Sequence, residues 1–248
     1  MSSKWVEGIV VRQRRWSDRL YSIQVDAPVE PFKAGQFGRL ALEIGGEMVA
    51  RPYSFVNAPH ERPLEFYYTR LDDGPLTSRL VTLASGAPIF LAPRASGFLT
   101  LSEVPPAEHL WLLSTGTALG PFLSILKTEE PWQRFSRIVL VHAVRRVVEL
   151  SYPETVALLL SAHPAQLAFV PFVSREETDF AIKGRIPDAI RDGRLEGRAG
   201  ARFGAPGSQV MLCGNPAMVA DTITVLEERG LKRHKRKEPG HIHVENYW

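Results

Sequence analysis

Up to about residue 100 the apolar positions recur at short range. The runs WVEGIVV (5–11), LYSIQV (20–25), FGRLALEI (37–44), EFYYT (65–69) and APIFLA (87–92) are rich in β-formers and separated by turn residues. Strands at this spacing predict an antiparallel barrel or sandwich. IGGE (44–47) carries the Gly-Gly signal of a two-residue hairpin. One helix interrupts the series in PLTSRLVTLASG, where Leu76, Leu80 and Leu83 recur at i, i+4 and i+7 between Pro75 and Gly86. SEVPPAEH (102–109), with its Pro-Pro pair, reads as a linker, giving expected domains of 1–101 and 107–248. Beyond it the rhythm changes. LWLLS (110–114), IVLVHA (138–143), LAFVPFV (167–173) and QVMLCG (209–214) are apolar runs alternating with the helical stretches GPFLSIL, YPETVALLL and PAMVADTITVLEERG. Continuous apolar strands with crossovers predict an α/β, doubly wound parallel sheet covered on both faces. Such sheets bind ligands at the carboxyl ends of their strands. No internal repeat or low-complexity tract is present.

Composition narrows the chemistry. The chain has 248 residues, 44% of them hydrophobic, as in a soluble globular protein. MSSKWVEG lacks the apolar core of a signal peptide, and runs such as VALLL (156–160) fall far short of the roughly 20 residues that span a bilayer. A cytoplasmic monomer is the expectation, with no membrane partner. Cys213 is the single cysteine, which excludes a disulfide framework, a Cys-based zinc site and an iron-sulfur cluster. Redox chemistry would have to use another cofactor. HIH (241–243) places two imidazoles on one strand face, but two ligands seldom suffice for a metal, and a polar strand face is the reading adopted. The net charge of +3 is compatible with an acidic protein partner and too weak to diagnose nucleic acid. Arg229, Lys232, Arg233, Lys235, Arg236 and Lys237 cluster in ERGLKRHKRKEPG (228–240), which reads either as a solvated helix end or as a docking face for that partner.

Four motifs carry candidate chemistry. In RPYSFVNAP (51–59), strand alternation sends Arg51 and Tyr53 to one face and Pro52 and Ser54 to the other. Pro52 argues for a sheet edge, since it cannot donate to a ladder. A cation and a ring on one exposed face suit a large, flat, anionic ligand, although a strand end with a snorkelling arginine would look the same. In STGTALGP (114–121), Gly116 and Gly120 bracket a tight turn, Thr115 and Thr117 offer hydroxyls, and Pro121 suits a first helical turn, whose free N–H groups attract phosphate. The turn is a dinucleotide site without the usual GxGxxG, or a purely structural one. HAVRR, VSR and KGRIP place Arg145 or Arg146, Arg175 and Arg185 at successive strand ends, where an adenine ribose would lie. Cations there favour a 2′-phosphate, whereas an acidic residue would favour a bare ribose. Two charge-assisted bonds of roughly 1.5–2.5 kcal/mol each would discriminate NADPH from NADH on the order of 10² to 10⁴. In CGNP (213–216), the cysteine precedes a helix start with no base to activate it, and Asp221 lies further along that helix. Cys213 reads as a small packed residue or one against which a nicotinamide approaches.

Taken in order over the whole chain, RPYS, GPLT, GTALGP and CGNP resemble the ferredoxin-NADP⁺ reductase family. The HAVR, SR and GRIP arginines and the ending VENYW are most similar to its bacterial flavodoxin/ferredoxin reductase branch. The resemblance implies that the barrel binds FAD and the α/β domain binds NADP(H). It pairs Arg51 with the FAD pyrophosphate, lays Tyr53 against the isoalloxazine, and places Ser54 near flavin N5, with Pro52 between them. A bidentate arginine, an aromatic plane and a hydroxyl are what those groups require. It places Tyr67 beside the ribityl or ring portion, and Pro75, Leu76 and Thr77 with backbone N–H groups at the pyrophosphate. Thr117 would reach the flavin from the other domain. Val144, Arg145, Ser174, Arg175 and Arg185 would hold the adenosine end of NADP(H), with Asn215, Pro216, Ala217 and Asp221 along the dinucleotide. Tyr247 and Trp248 would fold back on FAD, Trp248 over adenine. Plant-type members end in tyrosine, so gating by the last side chain does not carry over. Ser54, Cys213 and Glu245 form the implied catalytic set, Glu245 standing near the carboxylate that handles protons in plant-type members.

The implied activity is an FAD-dependent oxidoreductase that takes a hydride from NADPH and passes single electrons to ferredoxin or flavodoxin. No metal is needed. The alternative within the class is an NADPH-flavin reductase serving an oxygenase, a free flavin or a ferric chelate. Outside it stands a non-catalytic nucleotide-binding or nucleic-acid-binding protein, to which the basic pI points.

Overall fold

The computed structural model describes residues 4–235 and 237–246. Its first sheet comprises β1 (Val6–Arg15), β2 (Leu20–Asp26), β3 (Phe37–Ile44), β4 (Glu47–Ser54), β5 (Leu64–Thr69) and β6 (Pro88–Leu91), in the order β4-β3-β6-β1-β2-β5. All its pairings are antiparallel. A bridge between Phe55 and Phe66, with the Val56 amide on the Glu65 carbonyl at 2.9 Å, joins the two outer strands and closes the sheet into a barrel. Alternate residues of the strands, among them Val10, Ile23, Val25, Leu40, Phe66 and Leu91, fill its interior. The hairpin at IGGE has Ile44 opposite Glu47, and Gly45 and Gly46 take φ of 63° and 82°, the left-handed pair that a type I′ turn needs.

Two elements differ from the pattern-based expectation. β1 runs four residues past Val11 through the polar RQRR stretch. Its backbone still pairs with β2, and Gln13 donates to the carbonyls of Leu80 and Leu83 at 2.7 Å each while accepting from the Tyr68 hydroxyl. The helix expected over 76–83 is a single turn, α1 (Thr77–Leu80), whose following carbonyls are capped by that glutamine.

The second sheet is wholly parallel: β7 (His109–Thr115), β8 (Arg137–Val144), β9 (Leu167–Val173), β10 (Ile182–Lys183), β11 (Ser208–Gly214) and β12 (Ile242–Asn246), in the order β10-β9-β8-β7-β11-β12. The connections carry α2 (Leu119–Leu126), α3 (Glu130–Arg134), α4 (Pro153–Ala162), α5 (Ile186–Arg191), α6 (Arg194–Ala199) and α7 (Pro216–Glu228). Along β7, Trp111 and Leu113 face a core shared with α5, α6 and α7, while Leu110 and Leu112 face one shared with α2 and α4. Both faces are covered, which is why the central stretches of these strands are continuous apolar runs rather than alternating ones. The fold is therefore the expected barrel plus doubly wound parallel sheet.

The core on the α2 face does not stop at the second sheet. It takes in Leu20, Val56 and Tyr67 of the barrel, with Trp16 packed against it. Polar links run across the same boundary: the Tyr67 hydroxyl donates to Ser151 Oγ at 2.8 Å, the Tyr152 hydroxyl to Glu65 Oε1 at 2.7 Å, and Arg14 pairs with Glu154 at 3.1 Å. The two halves thus share one buried contact. Among the described residues no helix is long and apolar enough to cross a membrane.

The basic run also needs correction. Arg229 is not a solvated charge: its guanidinium is bound to Glu196 and to the Ile190 carbonyl. His243 is buried rather than on a polar strand face, with Nε2 3.0 Å from Gln209 Oε1 and its ring 4.3 Å from that of His234.

Candidate active site at the seam between the sheets

β4 is an edge strand of the barrel. Pro52 lies opposite Arg39 of β3, and its missing N–H leaves the ladder intact. Arg51 is exposed, with Nη1 donating to the Ala50 carbonyl at 2.8 Å. The Tyr53 ring meets Tyr68 edge-on, with centroids 6.1 Å apart at 71°, and Tyr68 in turn stacks on Tyr21. Burial pushes the Tyr53 phenol up to about 12, and nearby Arg51 opposes this. It therefore stays a neutral aromatic plane. Ser54 is buried where the strand ends.

α1 starts beside this strand. Thr77 Oγ1 accepts the Leu71 amide at 3.0 Å and closes the 71–77 loop. Pro75 has no N–H, which corrects its expected part as a donor. Among the described residues the amides of Leu76 and Thr77 have no partner, so these are the two donors the turn offers. Tyr67 is buried between the halves, bonded to Ser151 and edge-on to Tyr152, while the next residue, Tyr68, supports Tyr53.

The carboxyl edge of the parallel sheet faces the same region. After β7 the chain turns at Gly116, where φ is 56°, through half-buried Thr117 into α2. His142, fully buried on β8, holds this turn with Nε2 3.1 Å from the Gly116 carbonyl, and burial depresses its pKa to about 4. α2 then packs on the barrel. A Cβ on Gly120 would lie 3.3 Å from Val56 Cγ2 and 4.0 Å from the Ser54 carbonyl oxygen. Between the neighbouring ends of β7 and β11, Thr115 Oγ1 accepts the Asn215 amide at 2.9 Å. At Gly214, φ is 140° and a Cβ would fall 2.1 Å from that hydroxyl, so only glycine fits. Asn215 caps α7 by accepting from the amides of Ala217 and Met218; Asn215, Ala217 and Asp221 are exposed and Pro216 is half-buried.

Ser114, Cys213 and Glu245 stand in register across β7, β11 and β12. Cys213 is fully buried in the core shared by the two halves. Glu245 reaches the barrel: its Oε1 would be 3.0 Å from a Cβ on Gly97, and Oε2 is buried with no hydrogen-bond partner among the described residues. Desolvation raises this carboxyl to about 7. An orphaned carboxyl oxygen at a domain seam marks a place where a bound group can complete the hydrogen bonding. The expected tail residues Tyr247 and Trp248 lie outside the described residues.

Arg145, Arg175 and Arg185 follow β8, β9 and β10, three neighbouring strands of the sheet, and all three are exposed. Arg175 donates its amide to the Arg145 carbonyl at 2.9 Å, and Ser174 does the same to Val144 at 3.1 Å, so the strand ends remain zipped beyond the sheet. Among the described residues none of these three guanidinium groups has a carboxylate within ion-pair reach, whereas Arg146 has Glu176 at 3.8 Å. Three exposed guanidinium groups at successive strand ends have the chemistry to receive an anion.

The donor set fits the expected groups. The barrel edge offers a cation, a supported aromatic plane and two open amides, and the sheet edge offers a glycine turn and an arginine rim. Sequence reasoning missed Tyr68, Gln13, Gly97 and His142. Tyr68 and His142 sit inside apolar runs where their contacts leave no local signature.

The comparisons place this architecture in a class. Residues 112–223 match the family described as the oxidoreductase NAD-binding domain, and with the barrel this defines a two-domain pyridine-nucleotide oxidoreductase. The chain is 46% identical to the flavodoxin/ferredoxin–NADP reductases of Shigella flexneri and of Escherichia coli (strain K12), over 98% of its length and 99% of theirs. A solved ferredoxin NADP⁺ reductase from Neisseria gonorrhoeae, with bound FAD and NADP, matches it at a TM-score of 0.94 and 32% identity over the full length of both chains. The chain belongs to the flavodoxin/ferredoxin–NADP reductase family.

Proposed function

We propose that this chain is a flavodoxin/ferredoxin–NADP reductase, binding FAD in the barrel unit of residues 1–101 and NADP(H) in residues 107–248, and working in the cytoplasm as a monomer. When bound, FAD supplies the conversion between two-electron hydride transfer and single-electron transfer, which no side chain here can perform. The chain positions the reactants. Arg51 turns outward to the pyrophosphate with the Leu76 and Thr77 amides, Tyr53 covers the ring system on its Tyr68 support, and buried Ser54 donates or accepts a hydrogen bond near the reacting edge. Arg145, Arg175 and Arg185 hold the 2′-phosphate of NADPH, and the exposed start of α7, from Asn215 to Asp221, lies along the dinucleotide. Cys213, small and buried at the end of β11, leaves room for the nicotinamide to approach the strand end above it. Glu245, which burial keeps protonated up to about pH 7, stores a proton at the seam. Tyr247 and Trp248 complete the FAD site.

One observation carries this reading. The open edge strand with Arg51, Tyr53 and Ser54 and the carboxyl ends of the parallel strands meet at one seam, held there by Gly120 against Val56. Names of relatives add ferredoxin or flavodoxin as the carrier, and the exposed lysines and arginines after α7 suit such an acidic partner. The test is a steady-state assay of purified, FAD-loaded protein with NADPH and each carrier. Reduction of ferredoxin or flavodoxin supports the proposal, and fast reduction of ferric chelates with neither carrier reduced refutes it.

A further inference from the structure

We propose that Glu149 is a positioning residue that sets the preference for a 2′-phosphorylated dinucleotide by fixing the backbone that carries Arg145. The inference rests on the assignment of Arg145 to that phosphate, and goes beyond it to how the guanidinium is aimed.

β8 ends at Val144, and residues 145–148 are all exposed. An exposed four-residue turn carries conformational entropy that blurs the position of any side chain on it. Here that freedom is removed by two carboxylates. Glu149 Oε2 accepts from the amides of both Arg145 and Arg146, each at 2.8 Å. Glu176, after β9, accepts the next amide, that of Val147, at 2.6 Å. The Arg145 carbonyl accepts from the Arg175 amide at 2.9 Å, so both backbone polar groups of Arg145 are fixed. The Glu149 carbonyl in turn accepts from Ser151 Oγ at 3.3 Å, and that hydroxyl is bonded to Tyr67. The turn is therefore anchored into the buried contact between the halves.

Successive free amides in a turn attract anions indiscriminately, and here all three are taken, two by Glu149 and one by Glu176. With carboxylates already on them, the amides do not read the incoming phosphate, and the guanidinium groups must. Glu149 places a negative charge near the anion site, which opposes phosphate binding. The positional gain outweighs this repulsion.

The two effects separate by substitution. Glu149→Gln keeps an oxygen able to accept both amides but removes the charge, whereas Glu149→Ala removes both. Steady-state kinetics on the FAD-loaded protein should show KM for NADPH raised about tenfold in E149A with kcat unchanged, KM for NADH within about twofold, and E149Q within about threefold of wild type. Calorimetric titration with adenosine 2′,5′-bisphosphate against adenosine 5′-monophosphate reads the same preference without turnover. The expected result is weaker bisphosphate binding in E149A alone. A lower NADPH KM in both variants would show that charge dominates, and equal losses for NADPH and NADH would show a general structural role; either overturns the proposal. Arg145→Ala is the control. If it abolishes the bisphosphate preference while E149A behaves as wild type, Glu149 is refuted and the phosphate assignment stands. If R145A leaves the preference intact, that assignment fails and takes the proposal with it.

Discussion

The amide of Arg175 donates to the carbonyl of Arg145 at 2.9 Å, just past Val144 and Val173, the last paired residues of β8 and β9. This bond holds two cations on adjacent strand ends, and among the described residues neither guanidinium is in an ion pair. Such a pair is stabilised by an anion arriving between the guanidinium groups. Combining Arg145→Ala with Arg175→Ala is expected to raise KM for NADPH by on the order of 10²-fold or more, with little change for NADH. Steady-state kinetics with the two dinucleotides check this, and equal losses would remove the 2′-phosphate from this rim.

Gly120 tests how tightly the halves are joined. An alanine there gains helix propensity, but its methyl would crowd Val56, which is fully buried and fixed through its amide to Glu65. Crowding is expected to win, with Gly120→Ala destabilising the protein by about 1 kcal/mol. In a Val56→Ala background the same change should be neutral or stabilising. Denaturant melts of the four proteins of this cycle give the coupling directly, and an unchanged effect of G120A in the two backgrounds would mean that α2 does not press on the barrel.

Much of this architecture was legible from local rules. The change of period near residue 100 separated barrel from parallel sheet, because a half-exposed strand alternates and a doubly covered one does not. Gly45-Gly46 and Pro52 were read correctly since turn geometry and a missing N–H act within a residue or two. What stayed hidden depends on distant partners. β1 extends because Gln13 meets carbonyls some 70 positions away, Tyr67 and Tyr68 look alike in sequence yet point to opposite sides of the barrel wall, and half-buried Arg229 is paired with Glu196. The ordered motifs gave the family, but not which neighbours aim each side chain.

His142 gives a pH signature. Burial holds its pKa near 4, against about 6.5 for an exposed imidazole. Between these values the unfolded chain binds a proton that the folded one does not, so stability is full above pH 6.5 and falls as pH drops towards 4. The loss from this group is expected to be on the order of 2–3 kcal/mol across that window. Chemical denaturation of wild type and His142→Gln at pH 7 and pH 5 should show a smaller drop in the variant. Identical drops would place the titration elsewhere.

Glu245 predicts the opposite sign. Its folded pKa of about 7 exceeds the usual carboxylate value, so stability contributed below pH 4.5 is lost as pH rises through 7. Glu245→Gln is therefore expected to stabilise the FAD-free protein at pH 8 by on the order of 1–2 kcal/mol, while changing little at pH 4.5. Equilibrium melts at the two pH values check it, and destabilisation at pH 8 would show that the ionised carboxylate has a favourable partner.

The central claim is that the seam between barrel and parallel sheet brings a bound flavin and a 2′-phosphorylated dinucleotide together for hydride transfer. Anaerobic stopped-flow mixing of the FAD-loaded protein with NADPH tests it most directly. The account predicts rapid bleaching of the flavin absorbance, far slower with NADH, and recovery of the absorbance on adding oxidised ferredoxin or flavodoxin. A protein that takes up no FAD, or whose flavin stays oxidised in the presence of NADPH, would contradict it.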